Sequence, residues 1–98
     1  MHIITHERIV DAQQRLPECS RALDFWYRLM KRGTYRNFAE LKSAFGSVDK
    51  VGNAFVFNVG GNKLRIVAAV HFNRTKVFVR HVLTHAEYDR EEWKEEHR

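Results

Sequence analysis

Hydrophobic positions in the first third of the chain recur at helical spacing. Ile9, Ala12 and Leu16 lie on one face of a helix predicted over residues 5–15. Pro17 suits a first helical turn, and apolar residues then recur every three or four positions until Gly33, which predicts a second helix. The large apolar residues of that helix are interpreted as core: Leu23, Trp26, Tyr27 and Met30.

A third, shorter helix is predicted to begin at Asn37. Glu40 follows three residues later, so the two residues form a possible capping box, and Gly46 ends the helix. Its inward face would consist of Phe38, Leu41 and Phe45. Residues 47–53 are predicted to form a loop, and the apolar start of the chain predicts a short strand over residues 1–4.

The second half of the chain changes to the alternating pattern of β-strands. Three strands are predicted, over residues 54–58, 63–72 and 76–83, with turns at Gly60-Gly61 and at residues 73–75. Thr84 and Glu87 form a capping box that opens a polar helix extending to about residue 96. This order predicts an α+β fold, in which N-terminal helices pack on one face of an antiparallel-rich β-sheet and a C-terminal helix follows.

Alternation also predicts which strand residues face the helices. In the middle strand the wholly apolar face consists of Leu64, Ile66, Ala68, Val70 and Phe72. The opposite face carries Lys63, Arg65, Val67, Ala69 and His71. The last strand divides into one face with Lys76, Phe78, Arg80 and Val82 and another with Val77, Val79, His81 and Leu83. Arg65 and Arg80 are therefore both expected on the sheet face that the helices leave uncovered.

Length and cysteine content limit the class of protein. Ninety-eight residues predict one domain, 1–98, because two cores would each be too small to be stable. No apolar run approaches the roughly 20 residues of a membrane span, and the first residues lack the pattern of a signal peptide, so a cytoplasmic location is expected. Cys19 has no second cysteine to pair with and is expected to pack as an inert side chain.

Positive charge is concentrated in the body of the chain. The formal net charge is +5, but residues 84–98 hold six acidic and three basic residues. The first 83 residues therefore carry 14 basic and six acidic residues. A body of this kind favours a phosphate-rich partner, although an ordinary basic surface is an equally good interpretation of charge alone.

The side chains around the last strand and the C-terminal helix suit RNA transesterification. His85 and Tyr88 are three residues apart, so one helix presents both on the same side. Arginine binds phosphate oxygens bidentately and stays charged, histidine titrates near neutrality, and tyrosine can stack on a base. Arg65, Arg80, His85 and Tyr88 are thus candidate catalytic residues. No metal or cofactor is expected, because the other histidines are scattered without the spacing of metal ligands.

Three segments resemble one known family. Residues 58–65 (NVGGNKLR), Arg80 followed by residues 84–89 (THAEYD), and residues 38–42 (FAELK) are similar to segments of the HigB toxins of the RelE superfamily. The resemblance covers nearly the whole chain. It implies a compact fold similar to that of microbial ribonucleases. It also implies an endoribonuclease that cleaves messenger RNA, generally on the translating ribosome, and that a HigA antitoxin neutralises.

The resemblance also implies roles for individual residues. Arg65 and Arg80 would bind phosphate and stabilise the transition state, and His85 and Tyr88 would form the C-terminal catalytic pair. Weaker candidates for substrate contact are Lys42, Asn58 and Lys63. Asp89 is expected to interact with the N-terminus of its helix, where a carboxylate is favoured. The general base is left open.

Two other functions remain possible from the sequence. A toxin similar to the ParE proteins would share the fold but poison a topoisomerase, and such a protein has no need of His85 and Tyr88 beside Arg80. A basic RNA-binding module without chemistry is the second alternative. The absence of an aromatic RNA-recognition motif weakens it.

Overall fold

The computed structural model describes residues 1–61 and 63–97 and has the expected α+β architecture. The helices are α1 (His6–Arg15), α2 (Ser20–Arg32), α3 (Phe38–Ala44) and α4 (His85–Asp89), and short 3₁₀ turns cover Pro17–Cys19, Phe72–Arg74 and Glu92–His97. The strands are β1 (His2–Ile3), β2 (Asp49–Val51), β3 (Ala54–Val59), β4 (Leu64–His71) and β5 (Lys76–Thr84). The sheet has the order β1-β5-β4-β3-β2, with β1 parallel to β5 and every other pair antiparallel.

The main core lies between the sheet and the first three helices. The predicted apolar face of β4 is buried there, and Cys19 is buried in the same cluster, as expected. The helices contribute Ile9, Ala12, Leu23, Trp26, Met30 and Leu41. Within the described residues no helix has the length and apolar character that a bilayer span needs.

Two predictions about the middle of the chain need correction. The Asn37 side chain caps α3 by accepting from the Glu40 N–H at 3.0 Å, but the Glu40 carboxylate accepts from the Arg36 N–H at 2.8 Å, so the reciprocal capping box is not formed. Residues 47–53 are not all loop, since β2 pairs with β3 through a two-residue turn. Gly52 has φ +60° in that turn, a conformation that glycine adopts without strain.

A β-bulge in β5 breaks the predicted alternation. Val67 lies opposite His81, but the next residue of β4, Ala68, lies opposite Val79, so Arg80 is an extra residue without a cross-strand partner. After the bulge, the residues of β5 that face the core and those that face outward are exchanged relative to strict alternation. Val82 is therefore in the main core, and His81 shares the outer face with Val67, contrary to the alternation read from the sequence.

Side chains of α1 cover the open edge of β5. The strand β1 pairs with β5 only at Lys76 and Val77, which leaves the rest of that edge without a neighbouring strand. Arg8 donates to the carbonyl oxygen of Arg80 at 3.0 Å, and Arg15 donates to that of Val82 at 2.8 Å. These bonds satisfy backbone acceptors that would otherwise offer a template for strand pairing.

The outer face of the sheet has a small core of its own. Trp93 is buried against Ala54, Val56 and Val67, and its indole N–H donates to the Tyr88 carbonyl at 3.1 Å. To bring Trp93 there the chain turns at Glu91, which has φ +62°. The predicted helix to about residue 96 is therefore wrong, because it ends at Asp89 and a 3₁₀ turn follows. Burial of a large aromatic outweighs the roughly 1–2 kcal/mol that a left-handed residue costs.

Candidate functional site

A row of side chains crosses the outer face of the sheet near the start of α4. In the strand register Arg65 lies between Asn58 of β3 and Leu83 of β5. The Arg65 guanidinium carbon is 5.5 Å from the centre of the Tyr88 ring, a cation–π distance, and its Nη1 donates to the Leu64 carbonyl at 3.2 Å. The structure thus brings together three of the predicted residues, Asn58, Arg65 and Tyr88.

The helix α4 is fixed by its first turn. The Glu87 N–H donates to the Thr84 hydroxyl at 3.2 Å, and the Thr84 N–H donates to the Glu87 carboxylate at 2.9 Å, which confirms the predicted capping box. That backbone bond lowers the pKa of Glu87 against the opposing effect of partial burial, and the charges of Arg15 and Arg90 lower it further. Glu87 is therefore a poor proton acceptor, and its role is to position α4.

His85 is paired with Asp89 on the exposed side of α4. The His85 Nδ1 lies 2.8 Å from Asp89 Oδ2, and both side chains are more than half exposed. The expectation that Asp89 interacts with the N-terminus of the helix is corrected, because its carboxylate contacts the imidazole one turn earlier. With Nδ1 engaged by the carboxylate, Nε2 is the ring nitrogen left to act on a substrate.

Arg80 lies on β5, whereas Arg65 lies on the central strand β4. Its guanidinium carbon is 5.4 Å from the centre of the Phe78 ring, toward the end of β5 that is remote from α4. Arg80 lines a groove of about 590 Å³ between α1 and β5, together with Arg8, Arg15 and two carboxylates. The four predicted catalytic residues are therefore arranged as a close Arg65–Tyr88 pair, His85 on the same short helix, and Arg80 along the adjoining edge.

His81 is a residue of this face that the sequence pattern did not indicate. The bulge places it opposite Val67, two residues from Leu83, and it lines a pocket of about 220 Å³ with Leu83, Glu87 and Trp93. Strict alternation assigned His81 to the buried side because nothing in the sequence marks an extra residue at Arg80. The nearest signal is the apolar Val82, which fits the core only if the alternation breaks before it.

The remaining predicted contacts differ in their surroundings. Lys42 lies near the opposite edge of the sheet, where its Nζ donates to the Val48 carbonyl at 2.8 Å and is 3.8 Å from Asp49 Oδ1. Lys42 therefore fixes the backbone just before β2 begins. Lys63 is exposed in the turn between β3 and β4, two residues before Arg65. Of the two, Lys63 is the better placed for a ligand bound over Arg65.

The donor set of the site is cationic and aromatic. In the part of the chain that the structure describes, no three His, Cys, Asp or Glu side chains group closely enough to hold a metal ion. Arg65, Arg80, Arg8 and Arg15 supply fixed positive charge, and Tyr88 supplies an aromatic surface that stacks on Trp93 with ring centres 5.0 Å apart. Fixed positive charge beside an aromatic side chain suits a polyanionic ligand.

Comparison with known proteins identifies the family of this chain. Residues 19–91 match the model of the family described as HigB_toxin, RelE-like toxic component of a toxin-antitoxin system. The chain is 38% identical over 92 residues to the mRNA interferase toxin HigB of Escherichia coli (strain K12), covering 91% of this chain and 88% of that protein. The mRNA interferase HigB of Escherichia coli O6:H1 is 36% identical over 93 residues, covering 92% of this chain and 90% of that protein. The chain therefore belongs to the HigB toxins, the RelE-like toxic components of toxin–antitoxin systems.

Proposed function

We propose that this chain is an mRNA interferase, an endoribonuclease that cleaves messenger RNA through attack of the ribose 2′-hydroxyl on the adjacent phosphate. The observation that carries the proposal is the contact between Arg65 and Tyr88 beside the His85–Asp89 pair. It joins a phosphate-binding cation, an aromatic surface and an oriented imidazole at one end of the sheet. The relatives named mRNA interferases match over nearly the whole chain, which supports the same activity here.

The reaction needs two proton transfers and one centre of positive charge. A base accepts the 2′-hydroxyl proton while the 2′-oxygen forms its bond to phosphorus. The bond from phosphorus to the 5′-oxygen then breaks, and an acid donates a proton to that oxygen. The products are a 2′,3′-cyclic phosphate and a free 5′-hydroxyl. Negative charge accumulates on the non-bridging oxygens in between, so fixed cations accelerate the reaction without a metal ion.

The residues of this chain fit those roles in a definite order. Arg65 is half-buried and held by Tyr88, so it binds the non-bridging oxygens of the scissile phosphate. Tyr88 orients the nucleotide beside it, because its ring is already stacked on Trp93 and covered by Arg65. His85, with both ring nitrogens protonated, donates its Nε2 proton to the leaving 5′-oxygen, and Asp89, which accepts from Nδ1–H, orients the ring as a positioning residue. His81 is the second imidazole of the outer face and takes the role of base that the sequence left open.

The edge of the sheet continues the binding surface. Arg80 lines a groove along β5 and binds a phosphate that flanks the cleaved one, whereas Arg8 and Arg15 in the same groove hold backbone carbonyls of β5. Asn58 and Lys63 contact the RNA on the other side of Arg65, toward the turn between β3 and β4. Lys42 makes no direct contact in this arrangement, because its ammonium group holds the Val48 carbonyl.

A toxin of a toxin–antitoxin family has an antitoxin as its partner. For this chain we propose a HigA-type protein, and we propose that cleavage takes place in the cytoplasm, where messenger RNA is translated. Cleavage on the translating ribosome suits the exposed site, since RNA threaded through the ribosome is presented as a single strand.

Controlled expression without antitoxin tests the proposal. Wild type, Arg65→Ala and the matched control Arg74→Ala, an exposed arginine at the remote end of the sheet, are induced while growth and messenger RNA ends are followed. We expect growth arrest and new ends inside translated regions with the wild type and Arg74→Ala, and neither with Arg65→Ala. Thermal unfolding of each purified variant checks that Arg65→Ala still folds.

The other outcomes separate the competing functions. Arrest with intact transcripts would move the chain to the class of toxins that poison a topoisomerase. If the toxin binds RNA but does not cleave it, the chain is an RNA-binding module. Incubation of purified toxin with messenger RNA, with and without ribosomes, then decides whether cleavage needs the ribosome.

A further inference from the structure

An apolar groove lies on the helical side of the molecule, along α2. It is about 330 Å³ in volume and runs between α2, the end of α3 and the turn after β3. Its apolar lining includes Ala22, Phe25, Trp26, Leu29, Ala44 and Phe45. Phe25 is 68% exposed, more than any other large hydrophobic residue in the described part of the chain. An exposed aromatic beside an apolar groove is typical of a protein interaction surface.

The groove is formed by a second apolar stripe of α2. Leu23, Trp26 and Met30 are the buried residues of this helix. Ala22, Phe25 and Leu29 follow one another at intervals of three and four residues, so they form a stripe next to the buried one. The fold buries only the first stripe fully. The second stripe is left available for a partner.

The margin of the groove is positively charged. Three arginines lie on the same exposed side of α2 as Phe25. Arg21 is four residues before Phe25, Arg28 is three residues after it, and Arg32 is seven residues after it. Of these three arginines only Arg28 forms an ion pair with a carboxylate in the described chain, and its partner is Asp24 at 2.8 Å. The margin therefore keeps an excess of positive charge beside the apolar stripe.

We propose that this groove is the docking site of the antitoxin. The occupant is an amphipathic segment of that protein, with apolar side chains on Phe25 and Leu29 and acidic side chains opposite Arg21, Arg28 and Arg32. Membership in a toxin–antitoxin family supplies the partner, and the charge of the margin selects an acidic one. An RNA backbone would bind the arginines but would leave the apolar stripe exposed, so a protein partner fits the whole surface better.

One end of the groove lies close to the proposed RNA site. Asn58 lines the end of the groove and lies opposite Arg65 across the sheet. A segment seated along α2 therefore ends beside the row of residues that carries the proposed chemistry. The docking itself does not depend on RNA cleavage, and the two proposals can fail separately.

The test is titration of the purified toxin with the full-length antitoxin that is encoded with it. Phe25→Asp is compared with Val10→Asp, which places the same charge on an apolar residue of α1 that is 38% exposed. We expect Phe25→Asp to weaken binding about 30-fold or more, as for a central aromatic anchor, and Val10→Asp to bind as the wild type does. Phe25→Ala is the milder variant, since truncation of a mostly exposed side chain leaves the fold intact.

The charged margin gives a second arm. Arg28→Glu combined with Arg32→Glu should weaken binding of the antitoxin about tenfold, and added salt should reduce the difference between this variant and the wild type. Antitoxin binding unchanged in Phe25→Ala and Phe25→Asp overturns the proposal. If those variants bind the antitoxin normally but lose toxicity, the groove serves the RNA or the ribosome instead. The binding titration is read without reference to cleavage, so an inactive toxin would still give a clear answer.

Discussion

The Nδ1 atom of His85 lies 2.8 Å from the Oδ2 atom of Asp89, one turn along the same short helix. The carboxylate fixes the orientation of the imidazole by accepting a hydrogen bond from its Nδ1–H group. In the proposed reaction this arrangement aims Nε2 at the leaving 5′-oxygen. Asp89 is thereby a positioning residue whose effect passes through His85.

Substitution of this pair should separate chemistry from positioning. We expect His85→Gln to slow single-turnover cleavage about 100-fold or more, as for loss of a general acid, and Asp89→Asn to slow it about tenfold. Nitrogen NMR of the imidazole should show a larger Nε2–H tautomer fraction in Asp89→Asn. Asp24→Asn, which removes a carboxylate paired with Arg28, is the control. Full activity of His85→Gln would remove this residue from the mechanism.

The β-bulge makes a prediction about His81. Because the extra residue at Arg80 turns His81 to the outer face, His81→Gln should slow single-turnover cleavage by about 10- to 100-fold without weakening RNA binding. His71→Gln, at the other end of the sheet, should cleave normally. Equal losses in both variants would mean that the histidines act on stability or binding and that the base lies elsewhere.

The capping box of α4 should contribute to stability in a pH-dependent way. Thr84→Ala should lower the free energy of unfolding by about 1 kcal/mol. The pKa of Glu87 is lowered in the folded chain, mainly by the backbone hydrogen bond from Thr84. Its stabilisation is therefore full above the ordinary glutamate pKa of about 4.3 and is lost as the pH falls through the lower folded value.

Urea unfolding at a series of pH values measures this effect. The wild type should lose more stability than Glu87→Gln between about pH 5 and pH 3, since the variant has no carboxylate to protonate. Parallel pH curves for the two proteins would show that the Thr84–Glu87 contact does not contribute in solution.

Trp93 should be a major determinant of both stability and site geometry. It is 4% exposed, stacks on Tyr88 and covers Ala54, Val56 and Val67. We expect Trp93→Ala to lower the free energy of unfolding by about 3 kcal/mol and Trp93→Phe by less. Trp93→Ala should also reduce cleavage, because Tyr88 loses the ring on which it stacks. This loss of activity is expected even under conditions in which nearly all of the variant is folded. If Trp93→Ala had the stability of the wild type, the C-terminal turn would not pack on the sheet.

Local pattern determined much of this protein. The spacing of Ile9 and Ala12 and of Leu23, Trp26 and Met30 predicted α1 and α2 with their buried faces, because a helix places residues three and four apart on one side. The alternation around Arg65 predicted the faces of β4, and Thr84 with Glu87 predicted the start of α4. These features depend on contacts between residues close in the chain.

Only the tertiary structure decided the features that depend on distant contacts. The parallel pairing of β1 with β5, the bulge at Arg80 and the turn that buries Trp93 each depend on residues far apart in the chain. A bulge leaves no mark in the strand that contains it, since its energy lies in the pairing with β4. The sequence alone therefore named Arg65, Arg80, His85 and Tyr88 as candidates, whereas the fold added His81 to the outer face and set Arg80 along the adjoining edge.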